Sequence, residues 1–167
     1  VKAYNNSGKV DSYLRKEWEL FKPIEFYNEL PGDNLENEAD FFNERKTSFP
    51  HNLSNVEKDE KYDKLTHTPF GNQIVLDLAK AAIVNENLGM HQVTDHLSIS
   101  FSSTDKIGHE YGPQSYEVKD TYLRLDSQIA ELLELIDSQV GNNNYLLFLT
   151  SDHGVMENTK QLNDMNF

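Results

Sequence analysis

The most regular periodicity in the chain lies between two short apolar stretches. In YEVKDTYLRLDSQIAELLELIDSQVG, the residues Val118, Tyr122, Leu125, Ile129, Leu132, Leu133, Ile136 and Val140 step by threes and fours. That spacing predicts an amphipathic helix, and Gly141 with Asn142, Asn143 and Asn144 ends it. Before it, HLSISFSS alternates Leu97, Ile99 and Phe101 against serines, as a strand does. After it, YLLFLT is nearly all apolar, the pattern of a strand buried on both faces of a parallel sheet. Strand, long helix and strand together predict a βαβ unit with a right-handed crossover. Both strands then end at the same edge of one parallel sheet, the edge where open α/β folds bind ligands.

Each predicted strand runs into an Asp and a His. The first leads to Asp105 and His109 within SFSSTDKIGHEYGP, and the second leads directly to Asp152 and His153 within LTSDHGV. Carboxylate oxygen and imidazole nitrogen are common zinc ligands, and three or four of them complete a site. These four residues suit one tetrahedral ion, or two halves of a binuclear centre that draws further ligands from elsewhere. Taken alone, either pair is an ordinary loop sequence after a strand. Two such pairs at one sheet edge point to a metal site. Gly108 and Gly154 each sit beside a candidate ligand, where a side chain would obstruct the approach. The residues from Thr104 to Ser115 read as a polar loop, closed by Gly112 and Pro113. His51, His67, His91 and His96 have no partner at ligand spacing and read as exposed or singly hydrogen-bonded. The acidic residues of the long helix read as its solvated face.

Upstream, THTPFGNQIVLDLAKAAIVNENLG predicts another helix. Thr68 is its N-cap, Pro69 lies in its first turn, and Gly89 stops it. Its apolar stripe is Ile74, Val75, Leu78, Ala81, Ala82 and Leu88. Residues 1–66 differ in character. They are rich in Asn, Asp, Glu and Lys, and their apolar residues are largely aromatic. DSYLRKEWELF reads as a short helix capped by Asp11 or Ser12. The chain therefore divides into an irregular polar N-terminal insertion or cap (1–66) and a partial α/β core (67–167), a partial parallel sheet with flanking helices.

Bulk properties narrow the function. A net charge of −13 without a basic patch disfavours nucleic acid and anionic membrane as partners. No apolar run approaches the length of a membrane span. The absence of cysteine excludes disulfides and thiolate zinc sites. The chain opens on VKAYNNSGKV without an initiator Met or a signal-peptide pattern, and reads as an interior fragment or a processed product.

SFSSTDKIGHEYGP, the helix with YLRLD, LLFLTSDHGV and TPFGNQIVLDLAKAAI together resemble the alkaline phosphatase superfamily. The likeness is to the type I phosphodiesterase/nucleotide pyrophosphatase branch, and within it to bacterial phosphate-irrepressible alkaline phosphatases. It is specific from about Thr66 to Val155 and looser before that, where SFPHNL fits best. The resemblance implies a phosphate ester hydrolase with two zinc ions. Asp105 and His109 would bind one ion, and Asp152 and His153 the other. A Thr or Ser nucleophile would form a covalent phospho-enzyme. The family places that nucleophile and another ligand Asp well before the first motif, and a last ligand His well beyond the second, with no counterpart here. The expected partners are thus a small phosphate ester and the rest of the same polypeptide, with weak or no zinc binding by these 167 residues alone. A periplasmic or secreted location is implied by the family only. The alternatives are a phosphodiesterase, a sulfatase or a phosphomutase relative, or a non-catalytic acidic interaction module on the same scaffold.

Overall fold

The computed structural model describes residues 2–36, 38–41, 44–54, 60–156 and 162. In chain order its elements are helices α1 (Lys2–Asn5) and α2 (Lys9–Tyr13), strand β1 (Glu17–Trp18), a 3-10 turn (Ile24–Tyr27) and strand β2 (His51–Asn52). Helices α3 (Lys61–Thr66), α4 (Pro69–Asn85), α5 (Ser103–Tyr111) and α6 (Tyr116–Gln139) follow.

The two long helices form where the periodicity places them. Ser115 caps α6: its hydroxyl accepts from the Val118 N–H at 3.1 Å and donates to the Gly112 carbonyl at 2.9 Å. Helix α4 begins at Pro69 after an extended Thr68. The Thr68 hydroxyl does not cap it, and instead donates back to the Leu65 carbonyl at the end of α3. Helices α4 and α6 bury Leu76, Ile83 and Leu132 between them, with Ile99 and Phe101 packed alongside. The fully covered face of α4 is Leu76, Ala79 and Ile83, while the predicted stripe is only half-buried. Helix α4 is apolar around most of its circumference, so composition does not single out one face.

A second cluster joins the two halves of the chain. Tyr13, Trp18, Phe41, Leu53 and Leu65 from the first stretch are buried with Phe70, Ile107, Tyr111 and Val118 from the second. Trp18 stands edge-on to Phe49 and Tyr111, with centroids 5.4 and 6.3 Å away. The stretch expected as a cap thus contributes half of one apolar core. The predicted helix over DSYLRKEWELF ends early, at Tyr13. Trp18 lies instead in β1, paired antiparallel with β2 so that Trp18 faces His51.

Three expectations at the predicted sheet edge change. Among the described residues, the only sheet is the two-stranded β1–β2 pair. Residues 97–102 and 145–150 form no ladder, and Leu146, Phe148 and Leu149 are at least three-quarters exposed. A strand needs a hydrogen-bonding neighbour, and neither segment has one among the described residues. The predicted loop at Thr104–Ser115 is largely helix α5. Its buried Ile107 and Tyr111 lie one helical turn apart, and their packing outweighs the mid-helix Gly108.

The polar face of α6 also departs from expectation. Glu117 and Asp120 are completely buried. Asp120 Oδ2 accepts from the Trp18 indole N–H (2.7 Å) and Arg124 Nε (2.6 Å). Its Oδ1 accepts from the Tyr27 hydroxyl (2.7 Å) and the Phe21 N–H (2.6 Å). Glu117 Oε1 meets His51 Nε2 at 3.0 Å, and the other ring nitrogen of His51 meets Glu44 at 3.1 Å. His51 is therefore a buried, doubly bonded residue rather than an exposed one.

Candidate functional site

Helix α5 carries Asp105 and His109 one turn apart, which places them on one face. Asp105 Oδ1 lies 3.3 Å from His109 Nε2. The chain returns to that face after α6. His153 Nε2 stands 3.5 Å from the same Asp105 oxygen and 3.6 Å from Asp152 Oδ2. The rings of His109 and His153 have centroids 6.4 Å apart. Two Asp–His pairs separated by more than forty residues of sequence therefore meet at one place.

Helix α5 is held from outside by α4. Its own N-cap Ser102 makes no side-chain cap. Asn72 of α4 supplies the missing partner, since its Oδ1 accepts from the buried Ser103 N–H at 3.2 Å and its Nδ2 donates to Thr104 Oγ1 at 3.0 Å. Gly71 makes the approach possible, because a Cβ there would lie 2.1 Å from Ser103 Oγ and 2.8 Å from the Leu65 carbonyl oxygen. At the other end of α5, the Ala39 N–H donates to the Glu110 carbonyl at 3.0 Å. Glu110 is bound in turn by His67, at 2.7 Å.

The side chains of the four candidate ligands stand about half-exposed or more, so their donor atoms are reachable. The Gly154 carbonyl holds the His153 pKa above its usual value, with support from the Asp152 and Asp105 carboxylates. Tetrahedral zinc, with bonds of about 2.0–2.1 Å, sets neighbouring donors about 3.3–3.4 Å apart. The within-pair separations, 3.3 Å for Asp105–His109 and 3.6 Å for Asp152–His153, lie close to that edge length, while the 3.5 Å contact of His153 with Asp105 joins the two pairs. No group of three or more His, Asp or Glu among the described residues is arranged to hold an ion. The donor chemistry therefore fits two ligand pairs, each in need of further ligands.

A cleft of about 350 Å³ opens elsewhere, lined by Tyr13, Lys16, Phe70, Arg124 and Gln128 among others, and by none of the four candidate ligands. Lys16 sits over the Tyr13 and Phe70 rings and Arg124 over Phe21, so its cations are engaged by its own walls. The four candidate ligands lie on the face of α5 instead.

The sequence reading missed Gly71 and Asn72. A Gly-Asn dipeptide just inside a predicted helix was a readable signal that something approaches the backbone there. His67 and His91 make pairs of their own: His67 with Glu110 and, at 3.8 Å, Asp63, and His91 with Asp95 at 2.7 Å.

Residues 7–166 match the family model described as type I phosphodiesterase/nucleotide pyrophosphatase. The chain is 43% identical over 162 residues to a protein of Myroides odoratus named calcium-transporting ATPase, covering 96% of this chain and 30% of that protein. It is 41% identical over 154 residues to alkaline phosphatase PhoV of Synechococcus elongatus, covering 92% of this chain and 28% of that one. The crystal structure of wild-type alkaline phosphatase PafA superposes with a TM-score of 0.92 at 35% identity, over 99% of this chain and 32% of that one. The chain spans about 30% of the length of these relatives. No helix among the described residues is long and apolar enough to cross a membrane.

Proposed function

The chain belongs to the type I phosphodiesterase/nucleotide pyrophosphatase family, and on that premise we propose that it carries the central metal-binding part of a zinc-dependent phosphate ester hydrolase. The observation that carries this reading is the meeting of Asp105–His109 with Asp152–His153 on one face of α5. Asp105 and His109 would hold one zinc ion, and Asp152 and His153 a second. Bound there, the two ions would supply positive charge to the phosphoryl, attacking and leaving oxygens of an in-line displacement. The protein residues orient that charge. Helix α5 fixes Asp105 and His109 at a one-turn spacing, and Asn72 holds the start of the helix. The nucleophile that would accept the phosphoryl group, and the ligands that would complete each ion's shell, lie in the rest of a longer polypeptide. The substrate is a small phosphate monoester, a reading supported by relatives named alkaline phosphatases. The diesterase reading rests on the family description, and an assay with both ester types separates the two. In the full-length protein, His109→Ala and Asp152→Ala should each lower kcat/KM by at least about a hundredfold. Full activity in both variants would remove these residues from the mechanism.

A further inference from the structure

Helix α5 offers a third position on the face that carries Asp105 and His109. Gly108 lies three residues after the first and one before the second, so the three positions line one side of the helix. The chain that returns from α6 lies against that side. His153 reaches the Asp105 carboxylate at 3.5 Å. Two residues on, Val155 reaches Gly108, where an added Cβ would meet Val155 Cγ2 at 2.6 Å and Cγ1 at 3.4 Å. Carbon atoms in ordinary contact lie about 3.5–4.0 Å apart. Gly108 is buried, and a β-branched valine has little rotamer freedom with which to withdraw.

We infer that Gly108 is a positioning residue: its missing side chain seats Val155 on α5, and that seat holds Asp152–His153 against Asp105–His109. The inference rests on the metal-binding reading of the four ligands and adds the contact that sets their spacing. Helix propensity does not explain a glycine here, since alanine is the better residue in a helix interior. A merely local role predicts that Gly108→Ala leaves the protein unchanged or firmer. The positioning role predicts the reverse at the metal site, because moving Val155 outward carries His153 with it.

The test is zinc affinity of the full-length protein, measured by competition with a chromophoric chelator. Gly108→Ala should weaken zinc binding about 10- to 100-fold, the range in which residues that orient metal ligands act. Gly108→Ala combined with Val155→Ala should return the affinity to within a few-fold of Val155→Ala alone. Val155→Phe enlarges the same contact from the opposite side without altering α5, and should weaken zinc binding as well. It keeps the test decisive if Gly108→Ala does not fold. Unchanged affinity in the folded Gly108→Ala and Val155→Phe proteins, or no recovery in the double variant, would overturn the inference. His109→Ala in the same titration separates the two levels. If it keeps its zinc, the metal assignment itself fails; if it loses zinc while Gly108→Ala does not, only the positioning role fails.

Discussion

Asp120 is the residue on which the buried polar structure turns. Its two oxygens accept from four donors, contributed by Trp18, Phe21, Tyr27 and Arg124, and the residue is wholly inaccessible. Replacing it with Ala leaves the buried Trp18 and Tyr27 donors without their acceptor and removes the partner of Phe21 N–H and Arg124 Nε at the edge of the core. Urea denaturation should register a loss of about 3–5 kcal/mol, and a loss below about 1 kcal/mol would contradict the role. Glu38 makes a different prediction. It is 8% exposed, its Oε2 accepts from the Leu35 N–H, and its Oε1 is buried without a partner among the described residues. Burial, and then the neighbouring Glu117 charge, raises its pKa to about 8. The same two causes raise Asp33 to about 6. Both acids hold their protons more tightly when folded than when unfolded, where carboxyl groups titrate near about 4. The stability linked to them is therefore fully present below that range and lost as pH rises through about 6 and then about 8. The melting temperature should fall between about pH 4 and pH 8, and Glu38→Gln should flatten the part of that fall above about pH 6. A melting temperature that rises with pH over this interval would refute the assignment.

At the scale of elements, α5 is set in place by α4. Asn72→Ala removes the acceptor for the buried Ser103 N–H and should cost about 1–3 kcal/mol. Gly71→Ala forces a Cβ onto the Leu65 carbonyl and should cost about 1–3 kcal/mol by overpacking. Thermal denaturation of the two variants checks both, and wild-type stability in either would mean that α4 does not clamp α5. The same elements mark what could be read in advance. Helices α4 and α6 were legible because their apolar residues recur at helical spacing over many turns. Helix α5 was not: in STDKIGHEY only Ile107 and Tyr111 mark its inner face, and Gly108 and the polar residues read as loop. The four candidate ligands were legible as two pairs, because each follows a short apolar run. The burial of Glu117 and Asp120 was not, because their partners His51 and Trp18 come from segments 66 and 102 residues away. Local periodicity holds no record of such contacts.

For the whole molecule, the decisive fact is that the chain spans about 30% of the length of its relatives. The exposed apolar residues of 145–150 and the segment 97–102, neither of which is in a ladder among the described residues, are surfaces that neighbouring strands would cover. Prepared alone, the 167 residues should self-associate in sedimentation velocity, and substituting Leu146 and Phe148 with Lys should reduce that association. A strictly monomeric chain would count against the view that these segments await neighbouring strands. The two candidate ligand pairs would be incomplete in the same sense, since each offers two donors where a zinc site takes three or four. The most direct test is a crystal structure of the full-length protein with anomalous scattering measured at the zinc edge. Two anomalous peaks are expected, one within coordination distance of Asp105 and His109 and the other of Asp152 and His153. Peaks at other residues, or none in protein prepared with zinc, would contradict the assignment.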